Sequence, residues 1–272
     1  MSLFSGPAAR YDRLEMMRFL MRQPAERGLR QWQGLVEALQ CSAEISLAQV
    51  ERAAIAPELA FTANGALISG KLAVLATSRV AERRNGFVHH RAALSRCGFA
   101  TTFLQQTFFE GARDALFDRV RPLLYVGYGW NSERTAALQL GELLGMRTSA
   151  LFLVDERFAH LDTALCPLGS GHVMVYLDAF SERSQQMLRR EIEPDRMIAL
   201  ERDDALAFAG NAVEVGGTIV LHSASRRLRG RLNAAGYRVF ATELDEFVAA
   251  GGSAKSLALK LEDGPASTFA AA

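Results

Sequence analysis

Five polar residues stand where this sequence could do chemistry: Asn64, Glu110, His160, Asn211 and Ser256. They are 46, 50, 51 and 45 residues apart. Each heads a stretch that reads as an apolar strand. Ser256 follows the Gly251-Gly252 pair and precedes the alternating Leu257, Leu259 and Leu261, so it sits where a tight turn meets a strand. A side chain held on a rigid element in that way is a candidate reactive group. A sustained period of this length is the mark of a repeat architecture. If the repeats close on themselves, the five side chains face one another at a shared polar centre. The plainer alternative is five unrelated surface residues.

The elements that must hold these residues recur in one order. Residues 11–40 read mostly as helix, broken near Pro24, with Leu29, Trp32, Leu35, Val36 and Leu39 forming a buried stripe. Pro57 to Gly65 leads into the apolar run 66–78. A helix follows the charged residues 82–84 and stops near Cys97-Gly98, and a strand runs from Phe99 to Leu104. The next unit has a strand at 122–128, a helix at 133–144 capped by Asn131 or Ser132 and stopped at Gly145, and a strand at 148–154. Strand 172–178 and helix 182–192 follow, then strand 217–222, helix 225–235 stopped by Gly236, and strand 237–242. The last strand, 257–261, has no helix after it. The helix at 27–40 has no strand pair before it, so it completes that last unit and closes a ring. The fold predicted is a five-bladed α/β propeller with fivefold pseudosymmetry. It forms a single domain over 1–272, with its core at about 27–263 and a tail at 264–272 predicted to fray.

Composition narrows the function classes. The chain has 272 residues, 49% hydrophobic and 22% charged, with a formal net charge of +1. That is ordinary for a soluble globular protein and gives bulk electrostatics no reason to favour nucleic acid or membrane. The arginines between Ser225 and Arg231 read as one solvated helix face. No stretch resembles a signal peptide, and no window approaches 18 uninterrupted apolar residues. Cys41, Cys97 and Cys166 are odd in number and far apart, which fits a reducing, cytoplasmic setting without disulfides. Cys166 reads as a small buried apolar residue. Neither a metal nor an organic cofactor is expected. His89 and His90 point about 100° apart on a helix, a poor pair of ligands, and read as helix surface. His172 and His222 read as satisfied structural histidines on strands.

The motifs, taken together, resemble the amidinotransferase and guanidine-hydrolase superfamily with the pentein fold, from about Trp32 to Glu262. Those carrying the resemblance are Phe61-Thr62-Ala63-Asn64, Phe109-Glu110-Gly111 with Asp114 after it, and Gly127-Tyr128-Gly129. With them come Phe158-Ala159-His160-Leu161-Asp162-Thr163, Asn211-Ala212-Val213, Glu246-Phe247 and Gly251-Gly252. The resemblance implies that a nucleophile attacks the planar guanidinium carbon. It implies that His160 moves protons and that Glu110 and Asp162 grip the nitrogens. A guanidinium is a flat fork of five N–H donors, so fixed acceptors recognise it, and leaving ammonia needs a proton. Asn64, Asp114, Asn211, Asn131 and Arg134 are implied as further substrate-binding positions. Glu246 is read as structural.

The sequence also departs from the family. Ser256 stands at the position of the nucleophilic cysteine, and a hydroxyl is a far weaker nucleophile unless a base activates it. That serine is either an engineered Cys→Ser substitution or a natural one in a divergent or silent enzyme. Asn131 stands where an arginine is usual, with Arg134 three residues on. Asn64 stands where deiminases carry aspartate, which resembles the arginine dihydrolase branch. The function implied is hydrolysis of the guanidino C–N bonds of arginine or a related compound. Two alternatives are a catalytically silent protein that binds a guanidino ligand or a protein partner, and amidino transfer. The partner expected is a small guanidino compound, without nucleic acid or membrane. A homo-oligomer is compatible with the sequence, which leaves oligomeric state open.

Overall fold

The computed structural model describes residues 16–24, 28–50 and 60–263. The stretches 1–15 and 264–272, and with them the tail predicted to fray, lie outside the described residues, as do Pro57 to Leu59. Among the described residues, fifteen strands form five three-stranded sheets. Every sheet is built alike: an antiparallel pair of strands, a crossover helix, and a third strand parallel to the middle one.

The first unit pairs β3 (Ala66–Ser69) with β4 (Leu72–Leu75), then crosses through α2 (Ala81–Arg96) to β5 (Ala100–Phe103). The second pairs β6 (Ala115–Phe117) with β7 (Leu123–Tyr128), then crosses through α3 (Arg134–Leu144) to β8 (Arg147–Phe152). The third opens on the single turn α4 (Leu161–Ala164). It pairs β9 (Leu165–Pro167) with β10 (Val173–Val175), then crosses through α5 (Glu182–Glu191) to β11 (Met197–Ala199). The short α6 (Arg202–Leu206) leads to the fourth, where β12 (Val213–Val215) pairs with β13 (Thr218–Leu221). The chain then crosses through α7 (Arg226–Ala234) to β14 (Arg238–Ala241).

The fifth unit draws on both ends of the described chain. After α8 (Asp245–Ala249) and the single turn α9 (Ala254–Leu257), β15 (Leu259–Lys260) pairs antiparallel with β1 (Met17–Met21). The chain crosses from β1 through α1 (Leu29–Ser42) to the parallel β2 (Ile45–Gln49). The ring closure expected for the N-terminal region is therefore present, with a correction. Residues 17–21 are a strand, not part of a helix spanning 11–40. Phe19, Leu20 and Met21 are almost wholly buried, and β-sheet pairing on both edges outweighs their helix propensity.

Burial orders the strands within each unit. The hairpin strands β3, β6, β9 and β12 are mostly buried, whereas β2, β5 and β14 are largely half-buried or exposed. The inner strands thus line the axis and the third strands form the rim. Helix ends follow local chemistry. The Ser181 and Ser225 hydroxyls accept from the N–H groups of Ser184 and Leu228 at the starts of α5 and α7. Gly145 ends α3 in the left-handed conformation at φ +62°. The cap expected from Asn131 or Ser132 is not formed; Glu133 is the N-cap, and both side chains turn to the polar centre instead. Among the described residues no helix is long and apolar enough to cross a membrane.

Candidate active site

The five polar residues precede the five inner strands, and in four units a short helical turn carries or follows them. Asn64 ends the turn Thr62–Asn64 before β3, and Glu110 precedes the turn Gly111–Arg113 before β6. His160 caps α4, which contains Asp162, before β9. Asn211 comes just before β12. Ser256 lies within α9, before β15, which corrects its placement at the start of a strand over 257–261.

Hydrogen bonds run round the ring from unit to unit. Asn64 Nδ2 reaches Glu110 Oε2 at 3.4 Å, and Ser78 Oγ donates to Glu110 Oε1 at 2.5 Å. Ser132 Oγ accepts from the Glu110 N–H at 2.9 Å and donates to Asp114 Oδ2 at 2.5 Å. Asp114 Oδ1 faces His160 Nδ1 at 3.1 Å and accepts from the Leu161 N–H at 3.2 Å. Asn211 Nδ2 donates to the Asp162 carbonyl at 3.1 Å and to Ser256 Oγ at 3.0 Å. Asn211 Oδ1 accepts from the N–H groups of Ser253 and Ser256. Thr62 Oγ1 lies 2.8 Å from the Leu257 carbonyl and returns the circuit to the first unit. Glu110, Asp114, Asp162, Asn211 and Ser256 are at most 1% exposed, His160 4% and Asn64 7%. The side chains therefore face one another in a common interior, and five unrelated surface residues are excluded.

The arrangement gives each group a definite electronic setting. Asp114 on Nδ1 orients the His160 ring and leaves Nε2 toward Asn131 Nδ2, at 3.2 Å, and Glu110 Oε2, at 3.7 Å. With the proton on Nδ1, Nε2 can accept from the Asn131 amide. The Ser256 hydroxyl reaches Asp162 Oδ2 at 3.0 Å and Asn211 Oδ1 at 3.2 Å, so its nearest proton acceptor is a carboxylate. Asn64 Oδ1 is buried and has no hydrogen-bond partner among the described residues.

Not every expected residue joins this centre in the same way. Asn131 reaches it through His160, Asp114 acts on His160 and Ser132, and the Asn211 amide is taken up by the ring itself. Arg134 is exposed at the first turn of α3 and is not among the side chains gathered there. Three participants were not anticipated: Ser78, Ser132 and Arg113. Arg113 is 1% exposed, and its Nε lies 3.2 Å from both carboxylate oxygens of Asp162. Its position between Glu110-Gly111 and Asp114, inside a motif already singled out, was the available signal.

Residues set aside on sequence grounds divide. Cys166 is buried, and loss of hydration pushes its thiol up to about 12. His222 Nδ1 accepts from the Leu244 N–H, a satisfied structural role. His90, expected on a helix surface, is 4% exposed, and its ring fills the space beside Gly65 that a Cβ would take. Lys255, next to Ser256, donates to the Ala112 carbonyl at 2.6 Å and lines a separate cavity of about 750 Å³ with Phe19, Leu116 and Cys166. Burial lowers the Lys255 pKa.

The geometry has counterparts. Residues 21–260 match the family model described as N,N-dimethylarginine dimethylhydrolase, eukaryotic. The chain is 38% identical over 239 residues to the bifunctional arginine dihydrolase/ornithine cyclodeaminase ArgZ of Synechocystis, covering 88% of this chain and 34% of ArgZ. It spans about a third of that relative's length. It is 33% identical over 205 residues to the N(G),N(G)-dimethylarginine dimethylaminohydrolase of Mycobacterium tuberculosis, covering 75% of this chain and 66% of that one. The crystal structure of the ArgZ N-terminal domain, a Cys→Ser mutant bound to substrate, superposes with a TM-score of 0.86 at 35% identity, covering 92% of this chain and 99% of that one. The five repeated three-stranded units are those of the pentein fold, and the chain belongs to the N,N-dimethylarginine dimethylhydrolase family of guanidino-group hydrolases.

Proposed function

We propose that this chain hydrolyses the guanidino C–N bonds of arginine or a related compound in the manner of an arginine dihydrolase. Arginine and two waters would give ornithine, carbon dioxide and two ammonia. The observation that carries the reading is the unpartnered Asn64 Oδ1 beside Glu110, both buried. Buried acceptors go with donors, and a guanidinium supplies several N–H groups in one plane. Similarity to ArgZ, an arginine dihydrolase, supports the same choice.

In this reading Glu110, Asn64 and Asp162 accept the guanidinium N–H groups. Ser256 Oγ bonds to the guanidinium carbon and passes its proton to Asp162 Oδ2, its neighbour at 3.0 Å. His160, steadied by Asp114 and protonated on Nε2 as well as Nδ1 for this step, gives the Nε2 proton to the first ammonia as its C–N bond breaks. Water then adds to that carbon and gives a proton to His160, and the Ser256 C–O bond breaks as Asp162 returns the hydroxyl proton. A second passage with a second water releases the second ammonia and a carbamate, which loses carbon dioxide to leave ornithine. A second reading is favoured by one contact: the Ser256 hydroxyl is held by Asp162 and Asn211. There the chain binds a guanidino compound without turning it over.

The test is to incubate wild type and Ser256→Cys with arginine and to measure ornithine, citrulline and ammonia. Ornithine with two ammonia per arginine is the expected outcome, faster in the cysteine form. Absence of product from both would overturn hydrolysis, and arginine binding by calorimetry in both would then favour the second reading.

A further inference from the structure

The chain sets one of its own guanidinium groups on Asp162. Arg113 Nε meets both oxygens of Asp162, and Arg113 Nη2 donates to the Gly251 carbonyl at 2.6 Å. The Arg113 Cζ lies 5.1 Å from the centre of the Phe61 ring. A planar cation over an aromatic face, with its N–H groups on a buried carboxylate, is what an external guanidino ligand would need. The same Asp162 oxygen that takes the Ser256 hydroxyl is shared with Arg113. Asn64 Oδ1, by contrast, is buried without a hydrogen-bond partner among the described residues.

We propose that Arg113 is an internal ligand that sets the specificity of the site. It neutralises Asp162, so that a cationic guanidino compound must displace it from that carboxylate. The proposal rests on the reading of the polar centre as a guanidinium site. Apparent affinity falls by the fraction of molecules in which the binding-competent arrangement is present, so an Arg113 docked nine-tenths of the time weakens arginine binding about tenfold.

The experiment reads binding, not turnover. L-Arginine is titrated by calorimetry into the full chain, as wild type and as Arg113→Ala. Melting temperatures of both are recorded in low-millimolar guanidinium chloride and in equal sodium chloride. Removing Arg113 is expected to tighten L-arginine binding on the order of tenfold or more. It is also expected to make the variant's melting temperature rise in guanidinium alone. If Arg113→Ala does not fold unaided, its refolding is compared in the two salts, and recovery in guanidinium only is the expected result. The calorimetry is then done on that recovered protein after the salt is removed. An arginine affinity no tighter than wild type overturns the proposal, as does equal behaviour in the two salts. Failure of the hydrolase reading, with no product from wild type or Ser256→Cys, would leave these binding results standing.

Discussion

Asn211 offers a direct measure of what joins the polar centre. It is fully buried and connects three consecutive units. Its Nδ2 serves the Asp162 carbonyl and Ser256 Oγ, and its Oδ1 serves the Ser253 and Ser256 N–H groups. Asn211→Ala strips these partners from one carbonyl and two N–H groups in the interior. Each buried group left unmade costs about 1–3 kcal/mol, which bounds the loss at roughly 3–9 kcal/mol. The Ser256 hydroxyl can still donate to Asp162, and a water can enter the space of the lost amide, so the expected loss is about 3–5 kcal/mol. That is a large part of the roughly 5–15 kcal/mol that keeps a protein folded. Equilibrium urea unfolding followed by circular dichroism gives the number, provided the slope m matches wild type. A loss under about 1 kcal/mol with m unchanged would refute the view that this amide is the joint between the third, fourth and fifth units.

Other changes test neighbouring parts. Gly111 has φ +63°, and a Cβ there would stand 2.6 Å from the Ala63 carbonyl oxygen and 2.9 Å from the Ala66 nitrogen. Gly111→Ala should therefore cost at least about 2 kcal/mol, and an unchanged thermal melt would contradict the close approach of the first two units. Ser132→Ala removes the acceptor for the Glu110 N–H and a donor to Asp114, with an expected loss of about 1–3 kcal/mol in urea unfolding, and none if water replaces the hydroxyl fully. For Cys166 burial pushes the folded thiol from its ordinary 9.0 up to about 12, so its contribution is intact below pH 9 and is lost as pH rises toward 12. Going from roughly pH 8 to pH 10 should cost wild type about 1 kcal/mol that Cys166→Ala does not lose, and parallel pH profiles would contradict the burial of this thiol.

The repeat was legible because each unit spends its residues the same way. Apolar runs and helix-stopping glycines recur around a polar head, and that order survives without any alignment. The first and last strands were harder. Met17 to Met21 is five residues long, flanked by basic and apolar residues that suit a helix equally well, and only its pairing with β2 on one edge and with Leu259 and Lys260 on the other decides the matter. Such long-range pairing leaves no local trace. The site residues were found by their spacing and motifs, yet their partners were not. Ser78 and Ser132 lie in loops between motifs and reach Glu110 only through the fold. Asn211 looked like a ligand-facing group, but its amide is consumed within the ring. Arg134 shared a segment with the site and still points elsewhere, because α3 turns it outward.

The fifth unit also sets an order of events on the ribosome. β1 emerges early, but the strand that flanks it on one side, β15, is made more than two hundred residues later. At about 5–20 residues per second, Phe19, Leu20 and Met21 wait roughly 10–50 s for that edge to be covered. Four units can assemble while synthesis continues. The ring and its polar centre cannot, since Ser256 and β15 arrive together and last. A nascent chain stalled before Leu259 would expose an apolar strand edge and no complete site, which makes it a natural substrate for chaperones that hold unpaired strands.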